Sequence, residues 1–122
     1  MFDVTEERFE AFVAEAIDSI PDNVAKAMQN VAFLIEDDAR DGDESLGAYD
    51  GIPIPERQST VYPLAPDTER PDRIILYRHA IERASVSESG VRDQAHRTLY
   101  EQVAKLFGIT DRELDALGWA AP

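Results

Sequence analysis

A helix that has to stop at Gly108 and a second that has to start at Thr110 constrain this chain more than any other feature. Val91, Ala95, Leu99, Val103 and Leu106 recur at the three- and four-residue spacing that lines one face of an α-helix. Ser85-Val86-Ser87-Glu88 offers a capping box at the start of that helix, and Gly90 in its first turn lowers propensity without breaking it. Gly108 suits the left-handed position that closes a helix, and Thr110-Asp111-Arg112-Glu113 is a capping box for the next one. The second helix is expected over Asp111 to Leu117, with Gly118 as its cap and Trp119 folded back on the core. Two helices therefore meet at a corner, and the residues from Glu101 to Asp111 lie along it.

The remaining elements follow in order. Asp3 or Thr5 is placed to cap a first helix, whose apolar positions Phe9, Phe12, Val13, Ala16, Ile17 and Ile20 form one buried stripe. Pro21-Asp22-Asn23 starts a short second helix through Met28. Val31 to Ile35 is a continuous apolar run, expected as a buried strand. Leu46 to Pro55 alternates turn residues with Tyr49, Ile52 and Ile54 and reads as a short edge strand turned at Asp50-Gly51, since Pro53 and Pro55 remove ladder donors. Gln58 to Arg73 reads as a long loop, Ile74 to Tyr77 as a second clear strand and Ala80 to Ala84 as a short helical piece. The expected fold is α+β: a small mixed sheet packed with two long helices, one domain over 1–122.

Charge and composition exclude several functions. The formal net charge of -13, with Lys26 and Lys105 as the only lysines, repels phosphate backbones and anionic lipid, so neither nucleic acid nor membrane is an expected partner. There is no cysteine, which removes thiolate metal sites and cysteine nucleophiles. No run of eighteen apolar residues occurs and the first residues are acidic, so a cytoplasmic protein is expected. The acidic stretch Asp37 to Glu44 lacks the spacing of a calcium loop and reads as solvated. No serine stands beside a histidine in a recognisable catalytic order, and there is no glycine-rich phosphate loop.

Three stretches carry a family resemblance. Glu101-Gln102-Val103-Ala104-Lys105-Leu106-Phe107-Gly108-Ile109-Thr110-Asp111, running on to Leu117-Gly118-Trp119, resembles the C-terminal part of the small zincin-like metallopeptidases, a bacterial family of about this length. Its members read H-E-x-A-H-H-F-G-I-x-D there. Leu46-Gly47-Ala48-Tyr49-Asp50-Gly51-Ile52-Pro53 is similar to the family's L-G-x-Y-x-G-x-P segment, and Pro71-Asp72-Arg73-Ile74-Ile75-Leu76-Tyr77-Arg78 to its P-D-x-I-x-L-Y-R strand. The resemblance implies a minimal zincin-like fold and, in the family, a zinc ion. It also implies that the loop after Gln58 lies near the substrate cleft.

Aligned without a gap, the resemblance sets Glu101 and Lys105 at the positions of the two zinc histidines and Gln102 at the general base; Asp111 alone keeps the third ligand. An amide has no usable proton affinity near neutral pH and cannot act as a base. No catalytic residue and no cofactor is therefore expected, and Glu101, Lys105 and Asp111 are vestigial metal-site positions. His96 lies five residues before Glu101, on a different side of the helix. Tyr77, His79 and Tyr100 are candidate cleft residues. Lys105 is expected beside Glu101 and Asp111, its charge standing in for the metal. The reading is an inactive family homologue that binds a peptide or protein. Two alternatives stay open: a metal-dependent hydrolase using Glu101, Asp111 and His79, and a structural relic or engineered metal-free variant.

Overall fold

The computed structural model describes residues 1–28, 30–57 and 71–119. Its elements are α1 (Glu6–Asp18), α2 (Asp22–Ala27), β1 (Val31–Glu36), β2 (Gly47–Asp50), α3 (Ile54–Arg57), β3 (Asp72–Tyr77), α4 (Arg78–Arg83), α5 (Glu88–Phe107) and α6 (Asp111–Ala116). The strands form one mixed sheet in the order β1-β3-β2, with β1 parallel and β2 antiparallel to β3. This is the expected α+β architecture, with α1 and α5 as the two long helices.

Alternation along the strands decides what each face does. Ile74 and Leu76 of β3, with Val31, Phe33 and Ile35 of β1 and Tyr49 of β2, point into the main core. That core is closed by the stripes of α1 (Phe9, Phe12, Val13, Ala16) and α5 (Val91, Ala95, Leu99, Val103). Ile75 and Tyr77 point the other way, into a smaller cluster with Ala80, Leu34 and Ala48. Trp119 is buried against the main core, as the chain's final glycine-tryptophan pair implies.

Several boundaries differ from the sequence reading, each for a local reason. β1 is a strand, but every one of its apolar residues is only half-buried, because β3 takes the central place and leaves β1 at the sheet's edge. The extended stretch expected to reach Pro55 ends at Asp50. Pro53 instead opens a turn in which its carbonyl accepts the Glu56 amide (2.9 Å), and Pro55 sits in the first turn of α3, where a missing N–H costs nothing. α5 is capped by Ser87, whose Oγ accepts the Gly90 amide (3.0 Å), whereas Ser85 donates back to Ile81 and finishes α4. Thr5, not Asp3, caps α1. The loop from Gln58 to Arg70 lies outside the described residues.

Candidate functional site

The corner forms as its sequence requires. Gly108 adopts φ 66°, and a Cβ there would lie 3.1 Å from Pro55 Cγ, so α3 seats directly against the end of α5. Thr110 caps α6 through the Glu113 amide while the Glu113 carboxylate bonds back to the Thr110 amide. The Tyr100 hydroxyl donates to the Asp111 carbonyl (2.6 Å), and its ring packs on Trp119 at 5.0 Å. Tyr100 is 1% exposed, and burial pushes its phenol above the usual range, with Asp115 and Asp111 adding to the shift. It is therefore a core residue that anchors α6, not a lining of a cleft as the sequence suggested.

The edge strand lies tightly against α5. A Cβ at Gly47 would fall 2.5 Å from Thr98 Cγ2 and 2.8 Å from the Ile75 carbonyl oxygen, so only glycine lets β2 approach this closely. The Gln102 side chain is caught in the same contact, its Cγ 3.6 Å from that Cβ position. Gln102 is 3% exposed, and its Oε1 is buried with no hydrogen-bond partner among the described residues. An amide oxygen so placed costs on the order of 1–3 kcal/mol relative to one that keeps a donor.

The other three positions do not converge on it. Glu101 is half-buried, while Lys105 and Asp111 are exposed. No ion pair joins Lys105 to Glu101 or Asp111 among the described residues, so the expected substitution of a lysine charge for a metal is not made. Lys105 sits in the last turn of α5, on the side away from the core stripe, where a long flexible cation is solvated and also complements the helix dipole. A lysine brings donors and no acceptor, Gln102 offers one enclosed amide oxygen, and no group of three His, Cys, Asp or Glu among the described residues is arranged to hold a metal ion. A zinc ion needs three protein ligands with lone pairs on one side of it. The residues present do not fit zinc.

His79 is committed elsewhere. Its Nδ1 meets Asp38 Oδ2 at 3.0 Å, its Nε2 lies 3.3 Å from an Arg78 guanidinium nitrogen, and its amide donates to the Asp37 carbonyl. Asp38 also takes Arg83 (3.2 Å), and the His79 hydrogen bond is the main reason its carboxyl is held below the usual range. The acidic stretch after β1 is thus partly an ion-pair network with α4. The expected union of His79 with Glu101 and Asp111 does not occur.

Two features escaped the sequence reading. On the sheet face opposite α5 lies a cavity of about 450 Å³ floored by Ala48, Ile75 and Tyr77 and rimmed by Glu36, Asp38, Arg40, Asp50 and Arg73. Tyr77 therefore faces this cavity rather than the α5 corner, and burial, then Glu36 and Asp43, push its phenol up. Nothing in the local sequence marks the cavity, because its lining is drawn from β1, β2, β3 and the stretch after β1. Second, His96 Nε2 stands 3.1 Å from Ser19 Oγ, which donates to the Ala16 carbonyl (2.6 Å) and accepts from Trp119 Nε1 (3.2 Å). With the Ser19 proton committed to Ala16, His96 is the donor. This triad ties α1, α5 and the residues after α6 together and has no mark in local sequence. No helix among the described residues is long and apolar enough to cross a membrane.

The family model described as zincin-like metallopeptidase matches residues 27–119, from the end of α2 to Trp119. No curated relative matches the chain.

Proposed function

Because this chain belongs to the zincin-like metallopeptidase family and yet encloses an amide where the resemblance sets the general base, we propose that it is a catalytically inactive homologue. It works as a binding or regulatory module for an extended peptide or protein segment. The observation that carries the reading is Gln102: buried, unable to take a proton, and with no hydrogen-bond partner for its carbonyl oxygen among the described residues. Lys105 and the exposed Asp111 support it, since neither side chain is drawn toward a common centre. The outer position of β2, seated on α5 by Gly47, supports a partner that lies along the sheet as an added strand. The net charge of -13 favours a basic partner over an acidic one. We assign such a module to the cytoplasm.

The test is elemental analysis of protein purified without a histidine tag, melting curves with and without added zinc, and cleavage assays on a mixed peptide pool. Less than about a tenth of an equivalent of zinc, no zinc-dependent rise in melting temperature and no cleavage are expected. Stoichiometric zinc, with cleavage abolished by a chelator, would refute the reading. Peptide display on the same protein should then enrich basic extended sequences.

A further inference from the structure

The half-buried edge strand β1 is regular structure whose chemistry the proposed binding site does not use. In a parallel ladder, alternate residues bond to the neighbouring strand and the residues between them direct their N–H and C=O groups outward. The Asp72 amide donates to the Asn30 carbonyl (2.9 Å), which fixes the set: Ala32, Leu34 and Glu36 bond to β3, and Val31, Phe33 and Ile35 present their backbone groups at the open edge. Among the described residues β3 is the one element packed extensively along β1. The strand carries none of the devices that protect an edge: no proline, no lysine, no bulge, and no charge before Glu36.

We infer that β1 is the interface of a two-fold homodimer, in which the edges of two copies pair antiparallel and join their sheets into one. The edge geometry sets the register. Outward-facing residues must oppose outward-facing residues, so Phe33 pairs with Phe33 of the second copy across the axis, and Val31 with its Ile35. Phe33 then meets its own copy as a cross-strand aromatic pair on the core side of the sheet. The charges at this edge accommodate a second copy. A molecule of net charge -13 repels itself in most orientations. Here the acid lies at one end of the strand, Glu36, and Lys26, one of the two lysines, precedes the other end. Antiparallel pairing sets each Glu36 at the end of the partner strand that follows α2, whose Asp22 and Lys26 balance, and keeps the two glutamates at opposite ends of the ladder. Asp37 and Asp38, just beyond, are held by Arg78, Arg83 and His79 of their own chain and add little repulsion.

Sedimentation velocity from about 1 µM to about 1 mM, the span over which a small interface associates, reads the proposal directly. The native chain should pass from monomer to dimer, and Ile35→Pro should remain monomeric throughout, because it removes an outward N–H and no bond to β3. The chain has no cysteine, so Phe33→Cys places a single thiol beside the axis, with a Cα separation of about 5.5 Å that accommodates a disulfide. Mild oxidation should convert it to a covalent dimer at least tenfold faster than Glu10→Cys on exposed α1. A native chain that stays monomeric at the highest concentration overturns the proposal, as does a dimer indifferent to Ile35→Pro. Equal cross-linking of the two thiols overturns it independently of whether Ile35→Pro folds. Monomer combined with slow exchange of the Phe33 amide would mean that the edge is covered from within the chain, which also overturns it.

Discussion

Replacing Gln102 by methionine should make the protein more stable, and replacing it by glutamate should make it less stable in a manner that depends on pH. The side chain is 3% exposed, its Cγ packs near Gly47 of β2, and its buried Oε1 has no hydrogen-bond partner among the described residues. Gln102→Met keeps an unbranched chain of similar length and removes the stranded oxygen, whose burial costs about 1–3 kcal/mol. Imperfect packing of the thioether offsets part of this, so a net gain of about 1 kcal/mol is expected, which in a domain of this size raises the melting temperature by about 3–5 °C. Gln102→Glu puts an ionisable group in the same place with no cation paired to it. Burial disfavours its charged form, so the folded-state pKa rises above the ordinary value of about 4.3. Between that value and the raised one, the folded chain holds a proton that the unfolded chain has lost. Stability therefore falls as pH rises, by about 1.4 kcal/mol per unit of separation, or about 3 kcal/mol for a shift of about two units. Urea denaturation of the native chain and both variants at pH 4, 5.5 and 7 measures the differences. The glutamate variant should match the native chain most closely at pH 4 and fall furthest behind at pH 7. A pH-independent difference, or a methionine variant less stable than the native chain, would show that the amide oxygen is solvated and that the site is an open pocket.

Gly47→Ala should cost about 1–3 kcal/mol, the usual range for an overpacked contact, because its Cβ would lie 2.5 Å from Thr98 Cγ2 and 2.8 Å from the Ile75 carbonyl. Adding Thr98→Ser should recover only part of that loss in urea titrations, since the carbonyl stays in place. Burial is the main cause of the lowered pKa of His96, outweighing the opposing pull of Glu15 and Asp93, while Arg92 adds to the lowering. The unfolded chain then takes up its proton first, so stability contributed here is present above the ordinary histidine value and is lost as pH falls from that value to the folded one. His96→Gln should flatten that segment of the melting temperature against pH, relative to the native chain. A slope unchanged by the substitution would assign the loss to other groups.

The corner and the two stripes were legible because they rest on local chemistry. Gly108, the Thr110–Glu113 box and the spacing of Val91 to Leu106 each act within a few residues, and all formed as their sequence implies. β1 was half legible: its apolar run gave a strand, but whether such a run is central or lies at an edge depends on which strand enters the middle of the sheet, and β3 does. The stretch after Asp50 misled because proline is compatible both with a strand edge and with a first helical turn, and only the docking of Pro55 on Gly108 decides between them. Glu101, Gln102, Lys105 and Asp111 could be located in sequence, but their orientations could not. Spacing sets an angle around α5, whereas burial of Gln102 and exposure of Lys105 follow from where β2 rests. The opposite-face cavity and the Ser19–His96–Trp119 cluster combine residues far apart in the chain and had no local signature.

The fastening of β2 to β3 bears on what membership of this family can signify. Gly51 has no room for a Cβ, because the Asp72 carboxylate would lie 2.3 Å from it, and the Tyr49 hydroxyl donates to that same carboxylate. Gly47, Tyr49, Gly51 and Asp72 belong to two of the three resembling stretches, and every one of them is occupied in holding β2 against β3 or α5. Part of what marks the lineage is therefore its carpentry. A chain can keep all of those joints while the groups that would cleave a peptide are exchanged for others, and a search keyed to the joints will gather active and inactive members alike. Sorting such a collection by the pair at positions 101 and 102 would divide it by chemistry, where sorting by overall similarity divides it by ancestry.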